Sequence, residues 1–149
     1  MKLSRFPLSL IAILAFVSAG RLVAEEAAYG KAVTITPLLK SKTDAAGQPL
    51  LYPANAPAEV TAVIVEIAPG RETGWHHHPV PCLAYILEGE LAVELETGEV
   101  KSLKAGQAFC ETVNISHNGM NHGEKPARLV FFALSTEGQP YAVKDGHSH

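Results

Sequence analysis

An all-β sandwich or barrel is the fold class this sequence predicts, and three observations predict it. Short β-branched runs such as "EVTAVIVEIAPG", "CLAYILEGELAVELETGEVKSL", "AGQAFCETV" and "ARLVFFALS" are separated by Gly or Pro turns. Within "ELAVELE", Leu91, Val93 and Leu95 fall on one face and Glu90, Ala92, Glu94 and Glu96 on the other, so one side is buried and the other is wet. No long 3.6-residue apolar period occurs beyond the N-terminal run. With 149 residues, 47% of them hydrophobic, the chain has material for one core and no room for a second domain.

Taken in order, residues 1–24 read as a secretory signal peptide. Lys2 and Arg5 precede the apolar run Leu8–Val17, broken only by Ser9, and small residues follow, with cleavage expected after Ala19 or Ala24. The run is shorter than the roughly 20 residues a membrane-crossing helix needs, so no stable membrane anchor is expected. The mature chain is therefore expected to be exported, periplasmic or secreted. Removing Lys2, Arg5 and Arg21 leaves nine basic residues against fifteen acidic ones, a net charge of −6 that offers no basic surface to nucleic acid. In an oxidising compartment, Cys82 and Cys110 can pair or serve a metal.

Residues 25–57 combine a short β-like piece, "AVTITPLL", with "KSKTDAAGQPLLYPANAPA", and read as an N-terminal arm or covering loop. Residues 58–137 hold the β runs, with a hairpin turn expected at Thr97 and Gly98. Residues 138–149 read as a C-terminal tail whose "KDGHSH" end is expected to fray, and His147 and His149 there invite adventitious metal.

The chemistry concentrates in "GWHHHPVPC". On a strand, His76 and His78 look one way and His77 the other, so two imidazoles share a face. His117 closes another β run about forty residues on, and a closed barrel can bring it to the pair. Trp75, Tyr85 and Glu111 are candidate pocket residues, with packing or a solvated position as the plainer alternative for each. His122 reads as a surface residue, and Gly89 and Gly106 as turn positions.

These residues resemble the cupin superfamily. Its first motif is matched in spacing by Gly70, His76, His78, the position of Cys82, and Gly89; its second is matched by Gly106, Thr112, Asn114, His117 and Asn121, with types departing at Thr112 and Asn114. The resemblance spans roughly residues 59–136, and "YILEGEL" adds to it. It implies a single double-stranded β-helix, a jelly-roll barrel, holding one divalent transition metal near its mouth with His76, His78 and His117 as ligands. Imidazoles suit Fe, Mn, Ni, Cu or Zn alike. A homodimer and a small-molecule ligand or substrate are further implications.

The resemblance places a glutamate ligand where this chain has Cys82. Three readings of that position stand open: a thiolate as fourth ligand, a disulfide to Cys110 across neighbouring jelly-roll strands, or a small buried apolar residue. The last two leave three protein ligands and open positions, an arrangement that resembles thiol-dioxygenase-type cupins. An oxygenase-type metalloenzyme is accordingly one expectation. A non-catalytic module binding metal or a small ligand is another, and an interaction protein with structural histidines a third.

Overall fold

The computed structural model describes residues 36–52 and 57–146, and those from Pro37 onward belong to one compact unit. The signal-peptide reading, its cleavage sites, and His147 and His149 lie outside the described residues. Among the described residues nine strands follow in chain order: β1 (Ala58–Ile67), β2 (His76–His77), β3 (Cys82–Glu88), β4 (Glu90–Leu95), β5 (Val100–Lys104), β6 (Ala108–Cys110), β7 (His117–Met120), β8 (Ala127–Thr136) and β9 (Val143–Lys144). They form two antiparallel sheets, ordered β1-β8-β3-β6 and β5-β4-β7-β2-β9. This is the double-stranded β-helix, all-β and without a helix among the described residues.

Period-two burial builds the core between the sheets. On β4, Leu91, Val93 and Leu95 are buried, and they meet Ile86, Phe109, Ala127 and Leu129 of the facing sheet. Each such side chain removed from water contributes about 1.5–3 kcal/mol for a Val, Leu, Ile or Phe. A second buried cluster of Val80, Cys82, Phe131 and Ala133 continues the interior. The β4–β5 hairpin closes where Thr97 and Gly98 lie, with Gly98 at φ 84° and its N–H donating to the Leu95 carbonyl at 2.8 Å. Gly89 is required for a different reason: its φ is 74°, and a Cβ there would stand 2.6 Å from the Pro126 carbonyl oxygen.

The β-like piece at 32–39 forms no strand over its described part, residues 36–39, which are exposed. The arm docks further on: Asp44, buried, accepts from the Ala46 and Gln48 N–H groups through Oδ1 and from the Val113 N–H through Oδ2 at 3.0 Å. The C-terminal tail supplies β9, which pairs with His76 and His77, so that Lys144, the first residue of the "KDGHSH" end expected to fray, is held in a strand. Its backbone satisfies hydrogen-bonding groups that β2 would otherwise leave open at the sheet edge.

Candidate metal centre

Strand alternation and cross-strand register assemble the centre. His76 and His117 are direct partners across the β2–β7 ladder, and His78 follows two residues after His76, so all three rings face inward. Their centroids are 4.5 Å apart for His76 and His117 and 5.0 Å for each of the other two pairs. One nitrogen from each of the three lies within 4.8 Å of the others, a group that can hold a metal ion.

Each ring is held through Nδ1. His76 Nδ1 bonds the Gly74 carbonyl at 2.8 Å, His78 Nδ1 the Tyr141 carbonyl at 2.6 Å, and His117 Nδ1 the Ile115 carbonyl at 3.0 Å. A carbonyl only accepts, so each Nδ1 carries the proton and each Nε2 keeps a lone pair. That is the arrangement in which outer hydrogen bonds orient imidazole ligands. Nε2 of His117 is buried and has no hydrogen-bond partner, an orphan that a metal ion would satisfy. Burial also pushes His78 and His117 down to about 4, outweighing the backbone bonds that raise them and helped by the neighbouring rings, so both are neutral at pH 7 and fit to ligate. The residues present therefore fit a transition ion.

The two departures from the second motif have local accounts. Asn114 adopts φ 58°, the left-handed conformation that asparagine tolerates where the motif has glycine. Thr112 donates from Oγ1 to the Ile115 carbonyl at 3.1 Å, and its oxygen lies 2.9 Å from His117 Nδ1, so it braces that ring as a proline could not.

The histidines line one wall of a cavity of about 140 Å³ otherwise walled by apolar side chains, among them Val63, Val65, Leu91, Leu129 and Phe131, with Glu111 and Tyr141 also on it. Glu111 points in because Phe109, two residues before it, is a core residue. Its carboxylate is 7% exposed and stands 3.5 Å from Nε2 of His117. Burial raises it to about 8. Tyr141, missed in the sequence, enters through the C-terminal strap; its one legible signal was an aromatic after a Gly-Gln-Pro turn.

Other candidates fall elsewhere. Trp75 and Tyr85 do not line the cavity: Trp75 precedes inward His76 and faces the opposite side, and Tyr85 alternates with inward Ala84 and Ile86. His77, also outward, bonds Asp145 through Nδ1 at 2.7 Å. Cys82 faces inward, fully buried beside Phe131 and Ala133, but is not part of the three-histidine group. Burial, then the neighbouring Glu111 carboxylate, pushes its thiol far up, and it donates to the Val80 carbonyl at 3.4 Å. Cys110 pairs across the ladder with Leu83, not Cys82, and so faces the other side of the sheet, near Asp44 of the arm. Both cysteines are free, and the Cys82–Cys110 bridge is not formed because consecutive strand positions point to opposite faces.

Comparison with known proteins agrees with the geometry. Residues 63–135 match the model of the cupin domain. Polyketide synthase CurC of Streptomyces cyaneus is 36% identical over 64 residues, covering 42% of this chain and 41% of that protein. Tetracenomycin polyketide synthase protein TcmJ of Streptomyces glaucescens is 37% identical over 68 residues, 45% of each chain. This chain thus matches less than half the length of either relative. DMSP lyase DddQ from Ruegeria pomeroyi DSS-3 is similar in fold, with a TM-score of 0.50 at 19% identity over 57% of this chain and 42% of that one. Since the match runs from inward-facing Val63 on β1 to Ser135 on β8 and takes in all three histidines, the chain belongs to the cupin superfamily.

Proposed function

We propose that this protein is an exported mononuclear metalloenzyme of the oxygenase type, acting on a small organic molecule. The observation that carries the reading is the convergence of three Nε2 lone pairs, each aligned by a backbone carbonyl, on an apolar cavity. A bound transition ion would supply Lewis acidity and open positions for substrate or O2. The chain's own contribution is to exclude water with Val63, Val65, Leu129 and Phe131 and to hold the imidazoles neutral and oriented. Glu111 adds a single buried acid to the cavity wall, 3.5 Å from Nε2 of His117.

A cavity of about 140 Å³ is on the scale that holds one benzene-sized molecule, which favours a single ring, a short diketone or a small thiol. Relatives named for polyketide synthesis support an oxygenated carbon skeleton within that class. Export rests on the basic, apolar and small-residue succession of residues 1–24, and full-length mass recovered from the cytoplasm alone would count against it.

The test is metal analysis of protein with His147→Ala and His149→Ala, against the same chain with His76→Ala and His78→Ala added. Near-stoichiometric metal lost on the second pair of changes is expected, and equal metal in both refutes the centre. O2 uptake by the Fe, Cu or Ni form against single-ring phenols, short diketones and small thiols then decides catalysis. Failure across that panel, or zinc as the resident ion, favours a non-catalytic metal- or ligand-binding module. The lining itself gives that second reading some weight, since Glu111 is its sole carboxylate among the described residues.

A further inference from the structure

A dication held by three neutral imidazoles keeps its whole charge, because imidazole ligands bring none. In this cavity that charge would sit among Val63, Val65, Leu91, Leu129 and Phe131, where an uncompensated ion is costly. One acid lines the cavity, Glu111, and it is 7% exposed. Among the described residues, the single polar contact of its carboxylate is Nε2 of His117 at 3.5 Å, and that same nitrogen is the buried orphan of the centre. The thiol of Cys82 is not comparably placed: neither it nor Glu111 belongs to the three-histidine group itself, but Glu111 reaches Nε2 of His117 at 3.5 Å while the thiol is engaged with the Val80 carbonyl at 3.4 Å.

The geometry points to Glu111 as the fourth protein ligand of the ion held by His76, His78 and His117, its carboxylate delivered from the end of β6 in place of one at position 82. The two positions are neighbours across the ladder, since the Glu111 N–H donates to the Cys82 carbonyl at 2.9 Å. Both side chains face inward, so an acid moved by one strand still reaches the same wall of the cavity. The inference rests on the three-histidine centre and adds charge compensation to it: a carboxylate makes the site harder and lowers its net charge by one.

Cobalt(II) titration of the metal-stripped full chain, carrying His147→Ala and His149→Ala throughout, tests it by affinity and visible spectrum. Glu111→Gln, close in shape but uncharged, should weaken cobalt binding on the order of 100-fold and alter the number and intensity of the d–d bands, as loss of a ligand requires. Glu111→Asp should fall between, and Cys82→Ala should bind as the parent does. Parent-like affinity and spectrum in Glu111→Gln overturn the inference; with His76→Ala, His78→Ala still abolishing binding, the three-histidine centre survives it. A weakened Glu111→Gln with an unchanged spectrum also overturns it, assigning Glu111 to positioning His117. Loss in Cys82→Ala instead returns the fourth place to sulfur. A parent that takes up no cobalt removes both the centre and the inference. Thermal unfolding of each metal-free variant shows whether it is folded, and Glu111→Gln should melt no lower than the parent.

Discussion

Two regions of one barrel interior are equally dry and do opposite work. The side chains of Ile86, Leu95, Phe109 and Ala127 pack into one apolar cluster, and burial there stabilises the fold. Around His78, His117 and Glu111 the same degree of burial encloses titratable groups, which are disfavoured in their charged forms and cost stability when metal is absent. Placing the two next to each other teaches that the first region supplies the rigidity on which the second depends. The histidine end tolerates its polar groups because backbone carbonyls from Gly74, Ile115 and the C-terminal strap satisfy each Nδ1.

The sharpest break of that division comes from deleting function at one end and packing at the other. His76→Ala with His78→Ala should abolish stoichiometric metal, measured by elemental analysis, yet leave the metal-free melting temperature close to that of the parent. Ile86→Ala, at a position with no exposure, should do the reverse, lowering unfolding free energy by about 3 kcal/mol in denaturant titration while metal content holds. If either change moved both readouts equally, the two regions would not be separable.

Between about pH 4 and 8, acid and alkali should act chiefly at the histidine end. His78 and His117 are lowered from 6.5 to about 4, so below pH 6.5 the unfolded chain binds more protons, and stability falls as pH drops from about 6.5 to about 4. Glu111 is raised from 4.5 to about 8, so the folded state binds the extra proton, and stability falls as pH rises through that interval. Between 4.5 and 6.5 two histidines oppose one acid. The metal-free protein should therefore be most stable near pH 6.5, and Glu111→Gln should flatten the alkaline side, as followed by melting temperature against pH.

The smallest effect concerns the turn that leads into His117. Asn114→Ala should cost about 1 kcal/mol, since alanine is strained at φ 58°, whereas Asn114→Gly should stay within a few tenths. Chemical denaturation resolves the difference, and equal costs would remove the conformational explanation for asparagine in that place.

Much of the fold was legible because a strand's period is two residues and each run states its own faces. Leu91, Val93 and Leu95 declared the core, and the parity of His76 and His78 separated them from His77 before any neighbour was known. Trp75 and Tyr85, pocket candidates with packing as the plainer alternative, fall outside the cavity by the same rule, each standing one position from an inward residue. Glu111 obeyed it, two places after Phe109.

What the sequence by itself determined is thus the set of strands, their inward faces and the residue types offered to a metal, all properties of local pattern. The tertiary structure alone decided which strands are neighbours. It brought His117 opposite His76, set Cys110 against Leu83 so that no bridge to Cys82 forms, and folded the tail into β9 with Tyr141 at the cavity. Register between distant segments is decided by long-range burial and hydrogen bonding, which no single run can express by its own pattern.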